Sequence, residues 1–220
     1  MTAPRRPPRR LEDPSFTAAL QPLPGPLGED ESYDRYHITG EAFSGVMAAG
    51  SRFAECAFSS VTFDGGELRR SRLSEVIFRK VRVVAADLAE TDWLDAWFGG
   101  CVLAGVQAYG SSLRRVTFRD CKLDSVNFRD ATLTDVQFED CVLRSADFGG
   151  ATLTRVRFPG CQLEGADLTK VTCTDVDLRG AALGITGGYE SLRGTVIDSV
   201  QLVSLAPLLA RHLGIAVEDG

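Results

Sequence analysis

The sequence predicts an all-β protein built as a square coil, five residues to a side and twenty to a circuit. Three observations predict it. From Phe53 to Leu183 one position in five forms a set of 27, of which Leu takes thirteen and Phe ten; Val83, Trp93, Ala108 and Cys173 are the exceptions. Two residues before each stands a small one, from Ser51, Cys56 and Val61 to Ala181, always Gly, Ala, Ser, Cys, Thr or Val. A second period, of twenty, runs through Cys101, Cys121, Cys141 and Cys161, and through Phe98, Phe118, Phe138 and Phe158.

A helix turns about 100° per residue, so a step of five would scatter these side chains around its axis. In a continuous strand the same step puts successive members on opposite faces. Residues two apart do share a face, so each unit reads as a short extended segment with its small and its large residue inward, followed by a turn. Four right-angled turns close a circuit. Stacked like parallel strands about 4.8 Å apart, 27 units make nearly seven coils and a rod of roughly 33 Å. Ile38 and Phe43 continue the phase upstream, which puts the first coil near Tyr36.

The flanks have a different character. Seven of the nine prolines lie at or before Pro26, together with Arg5, Arg6, Arg9 and Arg10. Such a lead buries too little to offset its ordering entropy, so residues 1–32 are expected to be a solvated tail and 33–187 the coil. After residue 188 the period changes. Val200, Val203, Leu205, Leu208, Leu209, Leu213 and Ile215 suit an amphipathic helical cap over 188–220, and Pro207 favours two short helices over one. These apolar residues outnumber what the rod's end can cover, so they are expected to pair two chains about a twofold axis.

Composition excludes several classes. The formal charge is −6 and the pI near 5.0, against the basic footprint of a nucleic-acid binder. No run approaches the length of a membrane span, and the arginines at the N-terminus precede no apolar stretch of a secretory signal. A cytoplasmic protein with reduced cysteines is expected.

Chemistry-bearing residues are few. His37 and His212 sit at opposite ends, without the convergent partners that a metal or catalytic site needs. A stacked cysteine column points every sulfur the same way, which suits neither tetrahedral zinc nor disulfides. Neither a catalytic residue, a metal nor a cofactor is expected. Trp93, Trp97, Ala108 and Tyr109 break the pattern in mid-rod, read as a large ring filling what a small neighbour vacates, or as a binding patch. Charge is nearly balanced over 51–183, with 19 acidic and 17 basic residues. Yet Glu67, Asp87, Asp147 and Asp167 share one twenty-residue column, with Glu90 and Asp130 in the same side's units and Asp92 and Asp95 round the corner. Stacked acids repel, so either they hydrogen-bond the turn backbone or a partner uses them.

The units "ADLAE" at 86–90, "ADFGG" at 146–150 and "ADLTK" at 166–170 resemble the signature of the pentapeptide repeat family, over about 36–187. The resemblance implies a right-handed quadrilateral β-helix. The tail "VIDSVQLVSLAPLLARHLGIAV", with Gln201, Leu205, Leu209, Leu213, Gly214 and Ile215, is similar to that of the quinolone-resistance members, plasmid-borne and mycobacterial. This similarity implies a homodimer paired end to end through its C-terminal helices, imitating duplex DNA on a type II topoisomerase, DNA gyrase or topoisomerase IV. No direct contact with nucleic acid is expected. The plasmid-borne group carries loops that interrupt its coils; this sequence has none, as in the mycobacterial type. The competing expectation is a scaffold for an unrelated protein partner.

Overall fold

The structure is a computed structural model, and it describes residues 17–218. The chain winds into a parallel β-solenoid of about eight turns with one helix at its C-terminal end. Every pairing in the coil joins residues twenty apart: Leu73, Trp93, Leu113 and Leu133 stack on one side, and Phe58, Phe78, Phe98, Phe118 and Phe138 on the next. Five is one side and twenty one circuit, as the two periods require. The extra turn arises because pairing begins at Ser32–Asp34, against Arg52–Ala54, ahead of Tyr36.

The core is the apolar column set itself. Rings of the second side stack face to face, Phe78 on Phe98 at 4.4 Å and Phe118 on Phe138 at 4.9 Å. Trp93 is 1% exposed and stacks on Phe98 at 5.2 Å. It shares its circuit with Ala108, also buried, where the neighbouring circuits hold Leu73 with Leu88 and Leu113 with Phe128. The indole N–H donates to Thr91 Oγ1 at 2.6 Å.

The corners obey a rule the apolar periods do not contain. From Asp30 to Gly180 every residue whose number is a multiple of five has a positive φ between 48° and 77°. The left-handed region crowds a branched Cβ, and these corners hold only Gly, Ala, Ser, Asp, Glu, Lys and Arg. Some turns are closed by a bond from the third residue on, such as Ala151 N to Phe148 O at 2.9 Å.

Both ends are covered in part, which matters because open coil edges invite further pairing. Residues 1–16 of the expected tail lie outside the described residues. The second half of that expectation needs correction: Gln21–Pro22 pairs beneath Tyr36–His37, and Leu27 is buried in the core. The energy of burying Leu27 and Leu23 against the first coil, absent from a solvated tail, holds this segment. At the other end Thr195–Val196 pairs with Val176–Asp177 and leads into helix α1, Ser199–His212. Asp198 and Gln201 form a reciprocal cap there, and Gln201 Nε2 also donates to the carbonyls of Leu178 and Ala181 at 2.5 and 2.7 Å.

The expected division at Pro207 does not occur; α1 is one helix with Pro207 inside it. Proline removes one helix hydrogen bond, the one to the carbonyl of Val203. Val203 lies on the exposed side, 74% exposed, where water can take that carbonyl. Burial of Leu205 (1% exposed) on the opposite side holds the helix together.

Candidate interaction surface

The acid column stands where the sequence puts it. Isolated parallel bridges join Glu67, Asp87, Gln107, Asn127, Asp147 and Asp167 in order, each one coil above the last. Each Asp or Asn of this column closes its own turn. Asp87 Oδ1 accepts from Ala89 N at 2.9 Å, Asn127 Oδ1 from Arg129 N at 3.0 Å, Asp147 Oδ1 from Gly149 N at 2.8 Å, and Asp167 Oδ1 from Thr169 N at 2.8 Å. This is the local side-chain-to-backbone bond that Asp and Asn favour in turns. Asn127 does it without charge, so the column's geometry does not depend on carboxylates.

Arginines relieve the stacked charge. Asp87 pairs with Arg69, and Asp147 with Arg129 at 3.0 Å. Round the corner Arg115 grips Asp95 with two bonds, at 2.6 and 2.7 Å, while Asp92 lies 3.5 Å from Arg72. Thr169 Oγ1 donates to Asp167 at 2.5 Å and holds its pKa below the usual carboxylate value. Glu67, Glu90 and Asp130 form no ion pair within 4 Å among the described residues.

At the C-terminal end the seven expected pairing residues divide. Three pack on their own rod, Leu205 completely and Leu208 and Leu209 in part. Val200, Val203, Leu213 and Ile215 remain exposed, and Val196, Leu202 and Val217 join them. A helix 14 residues long packed on one side must leave the opposite side open; only its seating decides which.

The remaining sequence candidates do not converge. His37 Nε2 lies 2.9 Å from Ser59 Oγ at one end, and His212 lies 3.8 Å from Glu190 at the other. Cys121, Cys141 and Cys161 each donate to a carbonyl 23 residues back, at 3.3 to 3.4 Å. Contact with Cys101 in the column, with burial, pushes the Cys121 thiol up to about 12, and burial raises Cys173 to about 11. Neutral thiols are poor nucleophiles and ligands. No group of His, Cys, Asp and Glu that could hold a metal occurs among the described residues. No helix there is long and apolar enough to cross a membrane.

One feature escaped the period argument. Ala57, Ile77 and Trp97 occupy one outward column and form a small apolar cluster with Leu20. Gly99 leaves room for the indole, which lies where a Cβ would stand, with the Arg79 guanidinium 5.7 Å above the ring. Its signal was in the sequence: Ile77 and Trp97 are twenty apart in a column that is otherwise small or polar.

Coils of twenty residues with stacked side chains inside define a class, the four-sided parallel β-solenoid. The coiled region of this chain is similar to the pentapeptide repeat family. A family described as "Pentapeptide repeat region" matches residues 91–168. Among solved structures the chain is similar to a trypsin-treated form of QnrB1, a plasmid-mediated fluoroquinolone resistance protein. That likeness has a TM-score of 0.58 at 22% identity, covering 88% of this chain and 98% of that one. HetL, involved in heterocyst differentiation regulation in the cyanobacterium Nostoc sp. strain PCC 7120, matches at TM-score 0.39 and 19% identity over 78% of this chain and 91% of that one. No curated protein matches.

Proposed function

We propose that this protein is a non-enzymatic binding rod that pairs through α1 and engages a type II topoisomerase, DNA gyrase or topoisomerase IV, in place of duplex DNA, giving resistance to agents that poison the enzyme. The observation that carries the reading is the exposed strip of Val200, Leu202, Val203, Leu213 and Ile215 at the end of a rod whose outer columns are largely polar. A twofold contact would set this strip against its own copy. Two rods of about eight turns joined there would present a continuous surface of roughly 75 Å at the strand spacing. The fold likeness to QnrB1 agrees with this reading. Glu67, Glu90 and Asp130, with Asp87, Asp92, Asp95, Asp147 and Asp167, are the acids proposed to meet the basic DNA-binding surface of the enzyme. Such a role puts the protein in the cytoplasm.

A second reading has its own support. Asp87, Asp95 and Asp147 already pair with arginine, which suits a scaffold for a partner that is not a DNA-binding enzyme. A gyrase supercoiling assay with and without a fluoroquinolone, titrated with the protein, separates the two. The topoisomerase reading expects inhibition or protection at micromolar protein, weakening steeply with salt. Neither effect, with no capture of gyrase subunits, leaves the scaffold.

A further inference from the structure

We propose that the N-terminal end of the rod is a second docking site, which takes an extended segment of another protein as an added strand, with an apolar side chain beside a lysine or arginine. At this end Gln21–Pro22 covers the second side, and Asp30 N reaches Ala49 O on the fourth. On the third side Ala42–Ser44 is the edge of its sheet and, among the described residues, pairs only with Thr62–Asp64. The bonds Thr62 N to Glu41 O and Gly45 N to Asp64 O, both 2.9 Å, fix the alternation of this ladder. Backbone groups of residues 41, 43 and 45 face the sheet, so those of Ala42 and Ser44 face the open edge. Both residues are exposed. An exposed edge of this kind is a template for strand addition.

Beside the edge lies a cleft of about 400 Å³ between the Pro22–Pro26 segment and the residues Ile38, Glu41 and Phe43. Prolines 22, 24 and 26 bring no backbone donor to that wall, and with Leu23, Ile38 and Phe43 they offer contact to an apolar side chain. Phe43, half-buried, ends a ring stack with Phe63 at 5.1 Å. The charge of the cleft comes from Glu41. It occupies the inner column that holds Val61, Val81 and Cys101 in the coils above, and it is exposed here, with no coil beneath it among the described residues. His37, the other titratable group lining it, is held towards its neutral form by burial and by Arg79. A strand laid on this edge would cover the Glu41 carboxylate, which must then meet a cation. That requirement selects a basic segment over an acidic one.

The test uses the full chain and three synthetic seven-residue peptides that alternate valine with lysine, glutamate or serine around one phenylalanine. Titration followed by amide resonances is expected to shift Ala42 and Ser44 with the lysine peptide, at least tenfold tighter than the serine one and with no binding of the glutamate one. Ser44→Pro removes an edge N–H where proline is tolerated, and is expected to weaken binding at least tenfold with an unchanged circular dichroism spectrum. Glu41→Gln is expected to abolish the preference for lysine while weak binding persists. Equal binding of the lysine and glutamate peptides, or none by any, overturns the proposal and leaves Glu41 as a guard against edge pairing. Slow hydrogen exchange at Ala42 and Ser44 before any peptide is added also overturns it, since the chain's own residues would then hold the edge.

Discussion

Asp147 accepts the amide of Gly149 at 2.8 Å while Arg129 reaches the same carboxylate from one coil away. The first bond belongs to the turn and the second to the surface, and substitution can separate them. Asp147→Asn keeps the turn bond, as Asn127 does one coil earlier, and is expected to leave stability within about 0.5 kcal/mol. Asp147→Ala loses it and is expected to cost about 1 kcal/mol in urea unfolding. Equal effects of both changes would move the column's stabilising role from the turn to the charge.

Phe138 stacks between Phe118 at 4.9 Å and Phe158 at 5.0 Å, fully buried. Phe138→Ala is expected to cost about 3 to 5 kcal/mol, the range for a large aromatic removed from a packed core. Thr132→Ala, one coil side away and exposed, is expected to change stability by less than about 0.5 kcal/mol. Denaturant midpoints for the pair check both values.

Val203 and Val200 are 74% and 73% exposed on the side of α1 away from the rod. Light scattering is expected to give a dimer for the unaltered chain and a monomer for Val203→Glu, with the same circular dichroism spectrum. Leu205→Glu, by contrast, is expected to unfold the cap. A variant Val203→Glu that keeps the dimer mass would exclude α1 as the interface.

Acid is expected to weaken the rod through carboxylates held by the fold. Thr169 keeps the pKa of Asp167 below the ordinary value for its carboxyl, and Arg179 does the same for Asp177 through bonds of 2.9 and 2.7 Å. Folded values below unfolded ones mean that this stabilisation is complete above about pH 4 and is lost as pH falls through the folded values. Calorimetry from about pH 6 to about pH 2 should show the melting temperature falling below about pH 4. The double change Asp167→Asn and Asp177→Asn should flatten that fall, and an unchanged slope would assign it to other groups.

The sequence by itself determined the coil. Inward positions have no alternative occupants once five residues make a side, so Leu123, Phe128, Leu133 and Phe138 announce the period and the stacking partner twenty residues on. The turn bonds of Asp87 and Asp147 were legible for the same reason, since they are local. The corner rule was written there too, in the absence of branched and aromatic residues at multiples of five, but it becomes visible only once φ is known. Tertiary structure decided what lies outward and at the ends. Arg115 pairs with Asp95 across the period of twenty, but Arg69 pairs with Asp87 and Arg129 with Asp147 across eighteen, a choice that side-chain reach between coils makes and the period does not contain. The seating of α1 buried Leu205 and left Val203 to solvent, a choice set by Gln201 bonding the last coil's carbonyls. The first coil began at Ser32 because Leu27 found apolar surface to cover. An end has a neighbour on one side only, so its contacts follow from three-dimensional packing and not from the repeat.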